Sequence, residues 1–138
     1  MEVAHVGRDG TNRLVTGTQL GRDYELRYRL SERGLSLELV GQRSLDLELG
    51  DADFFDLGWS PLFNSLPVWR DGLLRAGPGR RYVMRWVDVP SLEVKASEQL
   101  YEPVGNGVVR FRSGTFRTEI RFDRDGFVVH YPGIATRV

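Results

Sequence analysis

Apolar and polar residues alternate one by one along most of this chain, and that period of two restricts it to β-structure. Tyr24, Leu26, Tyr28 and Leu30 alternate with Glu25, Arg27 and Arg29. Leu35, Leu37 and Leu39 alternate with Ser36 and Glu38, and Leu45, Leu47 and Leu49 alternate with Asp46 and Glu48. A strand points successive side chains to opposite faces, so each run describes one buried and one wet face of an antiparallel sheet. Ser31 to Gly34 and Gly41 to Arg43 are short, turn-like connectors. An earlier strand is predicted over Arg13 to Gln19. The pattern resumes with Tyr82, Met84 and Trp86, then Leu92, Val94 and Ala96. Val108 to Arg112, Phe116 to Phe122 and Phe127 to Tyr131 complete it. Asp125-Gly126 predicts a type I′ hairpin, because glycine accepts the positive φ that turn requires. No segment repeats at 3.6 residues. The chain is therefore predicted to be all-β and antiparallel, with eight to nine strands over about 13–50 and 80–131, curled into an open or incomplete barrel. A barrel of about eight strands is just wide enough to hold one ligand.

The 138 residues suit one domain, taken here as 1–138. A weak internal likeness relates Gly21–Tyr28 to Gly79–Trp86 and Ser36–Leu39 to Ser91–Val94. It is open to two accounts, a duplicated β-unit or the chance similarity of alternating strands. Nineteen basic and nineteen acidic residues cancel, so the electrostatic footprint of a nucleic-acid binder is missing. With no cysteine, disulfides, thiol catalysis and cysteine-ligated zinc are excluded. No signal peptide and no long apolar run is visible, so a cytoplasmic protein without a transmembrane segment is expected.

The exception to the alternation is the crossover over 53–77. It holds Trp59 and Trp69, two of the three tryptophans, together with Pro61, Pro67 and other bulky apolar residues. Ordinary hairpin loops need only about 2–5 residues, so this segment is expected to pack as a wall or lid across the sheet. With Phe54, Phe55, Phe63, Trp86 and Tyr101 it could line an apolar pocket, given polar contacts by Ser60, Asn64, Arg70 and Gln99. Tryptophan and tyrosine suit a ligand with an apolar body and a polar head. The same rings could instead fill the core. Asp51, Asp53 and Asp56 lack the glycine and distal glutamate of a calcium loop and read as a solvated turn. His5, placed in a frayed terminus, and His130 have no metal-ligand spacing, and Trp59-Ser60-Pro61 is no nucleophile elbow. Neither a cofactor nor a metal is expected.

The run Asp56-Leu-Gly-Trp-Ser-Pro-Leu-Phe-Asn-Ser-Leu-Pro67, with its Ser-Pro-x-x-Asn-x-Leu-Pro core, resembles the bacterial putative glycolipid-binding family. Arg85-Trp-Val-Asp-Val-Pro-Ser-Leu-Glu-Val94, Gln99-Leu-Tyr101 and Gly126-Phe-Val-Val-His-Tyr-Pro132 follow in the family's order. The chain departs from it in the bulk of Leu62-Phe63 and of Val68-Trp69-Arg70. The resemblance implies an incomplete β-barrel shaped like the periplasmic lipoprotein carriers. It also implies that Gln99 and Tyr101 point into the cup, and because Ala96 has the opposite parity a strand bulge is expected between Ala96 and Gln99.

The expected function is non-catalytic binding of a lipid or glycolipid-like amphiphile. The expected ligand-binding residues are Trp59, Ser60, Asn64, Trp69, Arg70, Trp86, Gln99 and Tyr101, with the three tryptophans near one concave surface and Asn64 mainly organising its loop. Two rival readings stand beside it. One is a partner-binding β-domain whose open sheet edges pair with another chain, a homodimer included. The other is a hydrolase or isomerase with its site in the same cup.

Overall fold

The structure, a computed structural model, describes residues 1–9 and 12–137. The chain divides into two compact units, residues 1–51 with 90–92, and residues 52–89 with 93–138.

The first unit is an antiparallel meander of five strands in sequence order: β1 (Glu2–Asp9), β2 (Asn12–Leu20), β3 (Glu25–Leu30), β4 (Gly34–Leu39) and β5 (Arg43–Glu48). Leu26 faces Leu39, Tyr28 faces Leu37 and Leu30 faces Leu35 across β3 and β4, so all six share the buried face. The Tyr28 ring lies over Gly17 of the neighbouring strand, where a Cβ would stand 2.3 Å from the ring. Its hydroxyl donates to Glu2 at 2.7 Å, which ties β1 to β3 across β2. The sequence reading has no β1 and leaves His5 in a frayed end. In the structure His5 pairs with Thr16. Val3 and Val6 differ in parity, so the strand carries no period of two to read.

The second unit begins with β6 (Phe54–Leu57), a 3₁₀ helix (Pro61–Asn64) and helix α1 (Ser65–Asp71). It continues with β7 (Arg80–Val87), β8 (Val94–Gly105), β9 (Val108–Ser113), β10 (Phe116–Phe122), β11 (Val128–Tyr131) and β12 (Ala135–Thr136). These strands form one sheet in the order β12-β11-β10-β9-β8-β7-β6. Twelve strands are thus present among the described residues, more than the expected eight or nine. Every neighbouring pair is antiparallel except one: β6 runs parallel to β7. A parallel pair cannot close through a tight turn and needs a long, usually helical, connection. That requirement accounts for the crossover: Phe54–Leu57 belong to the sheet, and the residues after them carry the chain back to the start of β7. The two stretches alike in sequence fall on β3 and β7, which differ in their pairing.

Pro61 opens the 3₁₀ helix at its first turn, where its missing N–H is not needed. Gly72 ends α1 in the left-handed conformation, φ 66°, and its N–H bonds the Val68 carbonyl. Seven residues are too few to display helical periodicity, so this segment reads as loop in the sequence. Val68 and Leu73 pack into a core with Tyr82, Tyr101, Phe111 and Ile120, so the helix lies on the inner face of the sheet. The 3₁₀ helix contacts both β6 and β11, on opposite flanks of that sheet. Only a curled sheet can bring its two flanks to one short helix, and this curl is the expected half-barrel.

The turn at Asp125-Gly126 is not type I′. Gly126 N–H bonds the Asp123 carbonyl, and Gly126 has φ +85° while Asp125 keeps a negative φ. The Asp123 carboxylate accepts from the N–H groups of Asp125 and Phe127, and the register shifts between Arg121 and Phe122. This is a type I turn followed by a glycine bulge, which the aspartate selects by bonding its own downstream backbone. Trp69 closes over it: its Nε1–H donates to the Asp125 carbonyl at 2.8 Å, and a Cβ on Gly126 would fall 2.6 Å from that nitrogen. Gly126→Ala therefore meets both a strained φ and the indole. It is expected to lower stability by about 2–3 kcal/mol, read as a fall in urea midpoint.

Candidate functional site

The inner face of the seven-stranded sheet is mainly apolar and carries a row of polar side chains. On β8, Ser97, Gln99 and Tyr101 point inward, while Ala96, Glu98 and Leu100 lie on the other side. Gln99 and Tyr101 are 2% and 1% exposed. The expected bulge is absent. Pairing with β7 runs unbroken through Ala96↔Arg85, Ser97↔Met84, Glu98↔Val83 and Gln99↔Tyr82. The parity conflict that motivated it vanishes because Ala96 is exposed, and a single methyl costs little in water. The irregularity in this strand lies further on, between Pro103 and Gly105, on the β9 side.

Parallel pairing of β6 brings Asp56 beside Trp86, and antiparallel pairing of β8 sets Lys95 opposite Trp86. Gln99 Nε2–H donates to Asp56 Oδ2 at 2.7 Å and lies 3.4 Å from Ser97 Oγ, which in turn is 3.4 Å from Ser113 Oγ. The Lys95 ammonium sits 5.1 Å from the Trp86 ring centre, a cation–π contact, rather than on the carboxylate. Among the described residues Asp56 thus has an amide but no cation as partner. It keeps some accessible surface, yet the protein packed around its carboxylate disfavours the charge and pushes its pKa up from 3.8 to about 6, with the Gln99 hydrogen bond pulling the other way. The carboxylate dictates the amide's orientation, because only the NH₂ end can face it. The Gln99 Oε1 is left buried without a hydrogen-bond partner among the described residues.

A second polar pair adjoins this row. Asn64 Nδ2–H donates to the Tyr101 hydroxyl at 3.0 Å. Burial first, then the nearby Asp56 charge, holds the Tyr101 hydroxyl well above its usual range and so neutral. Asn64 precedes α1 but makes no side-chain cap; it is a strut from the crossover to β8, a role the local reading of its loop does not reveal. Tyr101 also stacks edge-on against Tyr82 and Phe111, with centroids 5.4 and 5.3 Å away. This aromatic row crosses the inner face and reaches Phe116, which is 46% exposed.

The remaining expected residues are dispersed. Trp59 is 62% exposed and has φ 63°. Ser60 is buried just before the 3₁₀ helix. Trp69 is held by the Asp125 carbonyl and edge-on by Phe127, away from the polar row. Arg70 forks onto Asp71 at 3.1 and 3.2 Å and lies 4.4 Å over the Phe54 ring, while Asp71 accepts the Tyr82 hydroxyl at 2.6 Å. Of the three tryptophans, Trp59 is exposed, Trp69 is held at the Asp125 turn and Trp86 is in register with Asp56 of the polar row. The acidic run also disperses. Asp53 anchors the start of β6 by accepting from Val83 N–H, and Asp56 turns inward. No three metal-ligating groups gather among the described residues. Asp56, Lys95, Ser97 and Ser113 escaped the sequence reading. The signal for Asp56 was its place inside the apolar run Phe54-Phe-Asp-Leu57, where a carboxylate has to be accommodated rather than solvated.

An open trough of about 450 Å³ marks the opposite face of β8–β10, lined by Glu102, Arg110, Arg112, Arg117 and Glu119 among others. Its walls are charged and Arg110 pairs with Glu119 at 3.2 Å, so it is unsuited to a lipid chain.

A profile of the family described as Putative glycolipid-binding matches residues 7–137. The fold is similar to the crystal structure of a DUF1089 family protein from Pseudomonas aeruginosa. The two share 20% identity and a TM-score of 0.80, over 99% of this chain and 92% of that chain. No curated protein matches the sequence. No helix among the described residues is long and apolar enough to cross a membrane.

Two outcomes follow from the polar row. Because the folded-state pKa of Asp56 stands above its ordinary 3.8, the folded protein holds a proton that the unfolded chain has lost. This group therefore adds stability as the pH falls through about 6 and imposes its full penalty above that. Asp56→Asn is expected to be more stable than wild type at pH 7.5 by about 1–3 kcal/mol, with the gap closing toward pH 4, in paired urea titrations. Asn64→Ala leaves the buried Tyr101 hydroxyl unmatched and is expected to cost about 1–3 kcal/mol in the same assay.

Proposed function

The chain belongs to the Putative glycolipid-binding family, and on that premise we propose that its seven-stranded unit binds a lipid or glycolipid-like amphiphile without chemistry. The observation that carries this reading is the unmatched Gln99 acceptor beside a carboxylate that has no cation. A buried acceptor left unsatisfied costs about 1–3 kcal/mol, a penalty that a ligand head group would relieve. The half-exposed Trp86 and the exposed Phe116 offer apolar surface on the same inner face, where a tail or the flat side of a head could lie.

A binding role rather than a catalytic one fits the partners in the row. An amide cannot relay a proton from Asp56, Tyr101 is held neutral, and His130 is on β11 with its ring nitrogen on Thr136. Balanced charge supports a partner other than nucleic acid. The proposed setting is the bacterial cytoplasm, which suits a cysteine-free chain.

One observation favours a second, compatible reading. β1 is an eight-residue edge strand that pairs only with β2 among the described residues, and Val3 and Val6 are exposed along it. Such an edge is a template for pairing with a second copy of the chain.

The ligand reading is tested by tryptophan emission during titration with dodecyl amphiphiles below their micelle concentrations. Trp86 is expected to report binding, so the spectral change should survive in Trp59→Phe and vanish in Trp86→Phe. Emission that stays flat in the wild type across sugar, phosphate and carboxylate heads would count against ligand binding.

A further inference from the structure

The edge strand β1 carries a negative charge near its start, a positive charge near its end and small or apolar residues between them. We propose that two copies of this chain join antiparallel through β1, about a two-fold axis that passes at His5. This rests on the edge-strand reading given above and adds the register that selects a second copy as the partner.

The backbone sets the phase of any such pairing. The Met1 ammonium donates to the Leu20 carbonyl at 3.1 Å, and Leu20 N–H returns a bond to the Met1 carbonyl at 2.8 Å. Hydrogen-bonded pairs recur at every second residue of an antiparallel ladder. Along β1, therefore, Val3, His5 and Gly7 turn their N–H and C=O groups toward β2, while Glu2, Ala4, Val6 and Arg8 turn theirs toward the outer edge. A neighbour on that edge has to bond the even-numbered residues. When the neighbour is β1 itself, even residues pair with even ones, and the two-fold axis must pass through a residue. Centred on Ala4, Glu2 faces the partner's Val6; centred on Val6, Arg8 faces the partner's Ala4. Only the register centred on His5 uses the strand from Glu2 to Arg8 and sets Glu2 opposite the partner's Arg8, twice by symmetry.

The side chains fit that register. On one face Val3, 54% exposed in the single chain, meets the partner's Gly7. A Cβ built on Gly7 would come no nearer than 4.0 Å to another heavy atom, so there is room for the valine. On the other face Val6 meets the partner's Ala4. Arg8 stands in register with Arg13 of its own chain, a like-charge pair, and gains a carboxylate on its other side. Glu2 accepts the Tyr28 hydroxyl at 2.7 Å, and a carboxylate can accept further donors. The opposite edge of the same sheet is guarded against self-pairing. Leu49 N–H bonds the Arg33 carbonyl, which fixes the phase of β5 and turns Ser44, Asp46 and Glu48 outward. A two-fold register spanning those three is centred on Asp46 and sets two carboxylates against each other.

The chain has no cysteine, so one introduced thiol reports contact with its own copy. Residue 5 would face itself in a non-hydrogen-bonded pair, with Cα atoms about 4.5 Å apart and within disulfide reach. Residue 3 would stand four residues from its copy along the strands, roughly 13 Å, and out of reach. His5→Cys is therefore expected to form a covalent dimer under mild oxidation at least tenfold faster than Val3→Cys. Sedimentation of the full chain is expected to show a dimer. Val6→Pro removes an N–H that faces the outer edge and not β2, so it should keep the wild-type urea midpoint and sediment as a monomer. Arg8→Glu should weaken the dimer about tenfold, by setting like charges opposite. A wild type that is monomeric at its highest soluble concentration would remove edge pairing altogether. A dimer that survives both Val6→Pro and Arg8→Glu would place the interface elsewhere and overturn the proposal. A dimer lost in Val6→Pro, with the two thiols oxidised at equal rates, would keep edge pairing and overturn the register centred on His5.

Discussion

The parallel pairing of β6 with β7 is the constraint from which the second unit is built. Antiparallel neighbours can be joined by a few residues, but a parallel neighbour obliges the chain to travel the length of the strand and return. The returning segment crosses the inner face, where it must bury its own apolar side chains and satisfy its own backbone. The 3₁₀ helix, α1 and the Gly72 cap answer those demands in turn. The curl of the sheet follows, because one short helix fills a concave surface only if the flanks close toward it. The same pairing carries Asp56 inward beside Trp86.

From that position a polar row becomes unavoidable. A carboxylate on an apolar face needs a donor, and Gln99 on β8 provides it. Gln99 then has an acceptor to spare, and the row extends through Ser97 to Ser113. Nearby, Tyr101 is tied to the crossover by Asn64. The crossover and the sheet are thus held together by packing at Val68 and Leu73 and by hydrogen bonds from Asn64 to Tyr101, from Tyr82 to Asp71 and from Trp69 to the Asp125 carbonyl. Most of the unit is an ordinary hydrophobic interior; the polar row departs from one, as do the buried Ser65 Oγ and Arg85 Nε, which also lack hydrogen-bond partners among the described residues, and such departures are where binding is best sought.

Much of the fold was legible because its strands are wet on one face. β3, β4 and β10 alternate cleanly in sequence and in burial, and β7 does so through Met84 before both faces become covered at Val87. β1 and β6 were not legible as strands: the apolar residues of β1 change parity midway, and Phe54-Phe-Asp-Leu57 is too short and too apolar to show a period. The helix is two turns long with Pro67 within it, so no helical stripe could form. At the site, period-two counting placed Gln99 and Tyr101 together, and the true inward face follows once Ala96 is allowed to be exposed. Asn64 was visible as a structural residue, but its partner lies 37 residues away, and no local pattern announces such a bond. Asp56 was masked by its neighbours Asp51 and Asp53, which made a buried carboxylate look like part of a solvated turn.

Trp59 invites a different kind of consideration. It occupies the third position of a turn closed by Ser60 N–H on the Leu57 carbonyl, a place whose positive φ suits glycine, and it holds most of its indole in water. Backbone strain of this kind costs about 1–3 kcal/mol, and the exposed ring recovers little by burial. In a domain whose whole margin is of the order of 5–15 kcal/mol, that is a reserve the chain leaves unspent. Position 59 is therefore where an engineer would look first for added thermostability, and where a loss of activity accompanying the gain would reveal what the strain is kept for.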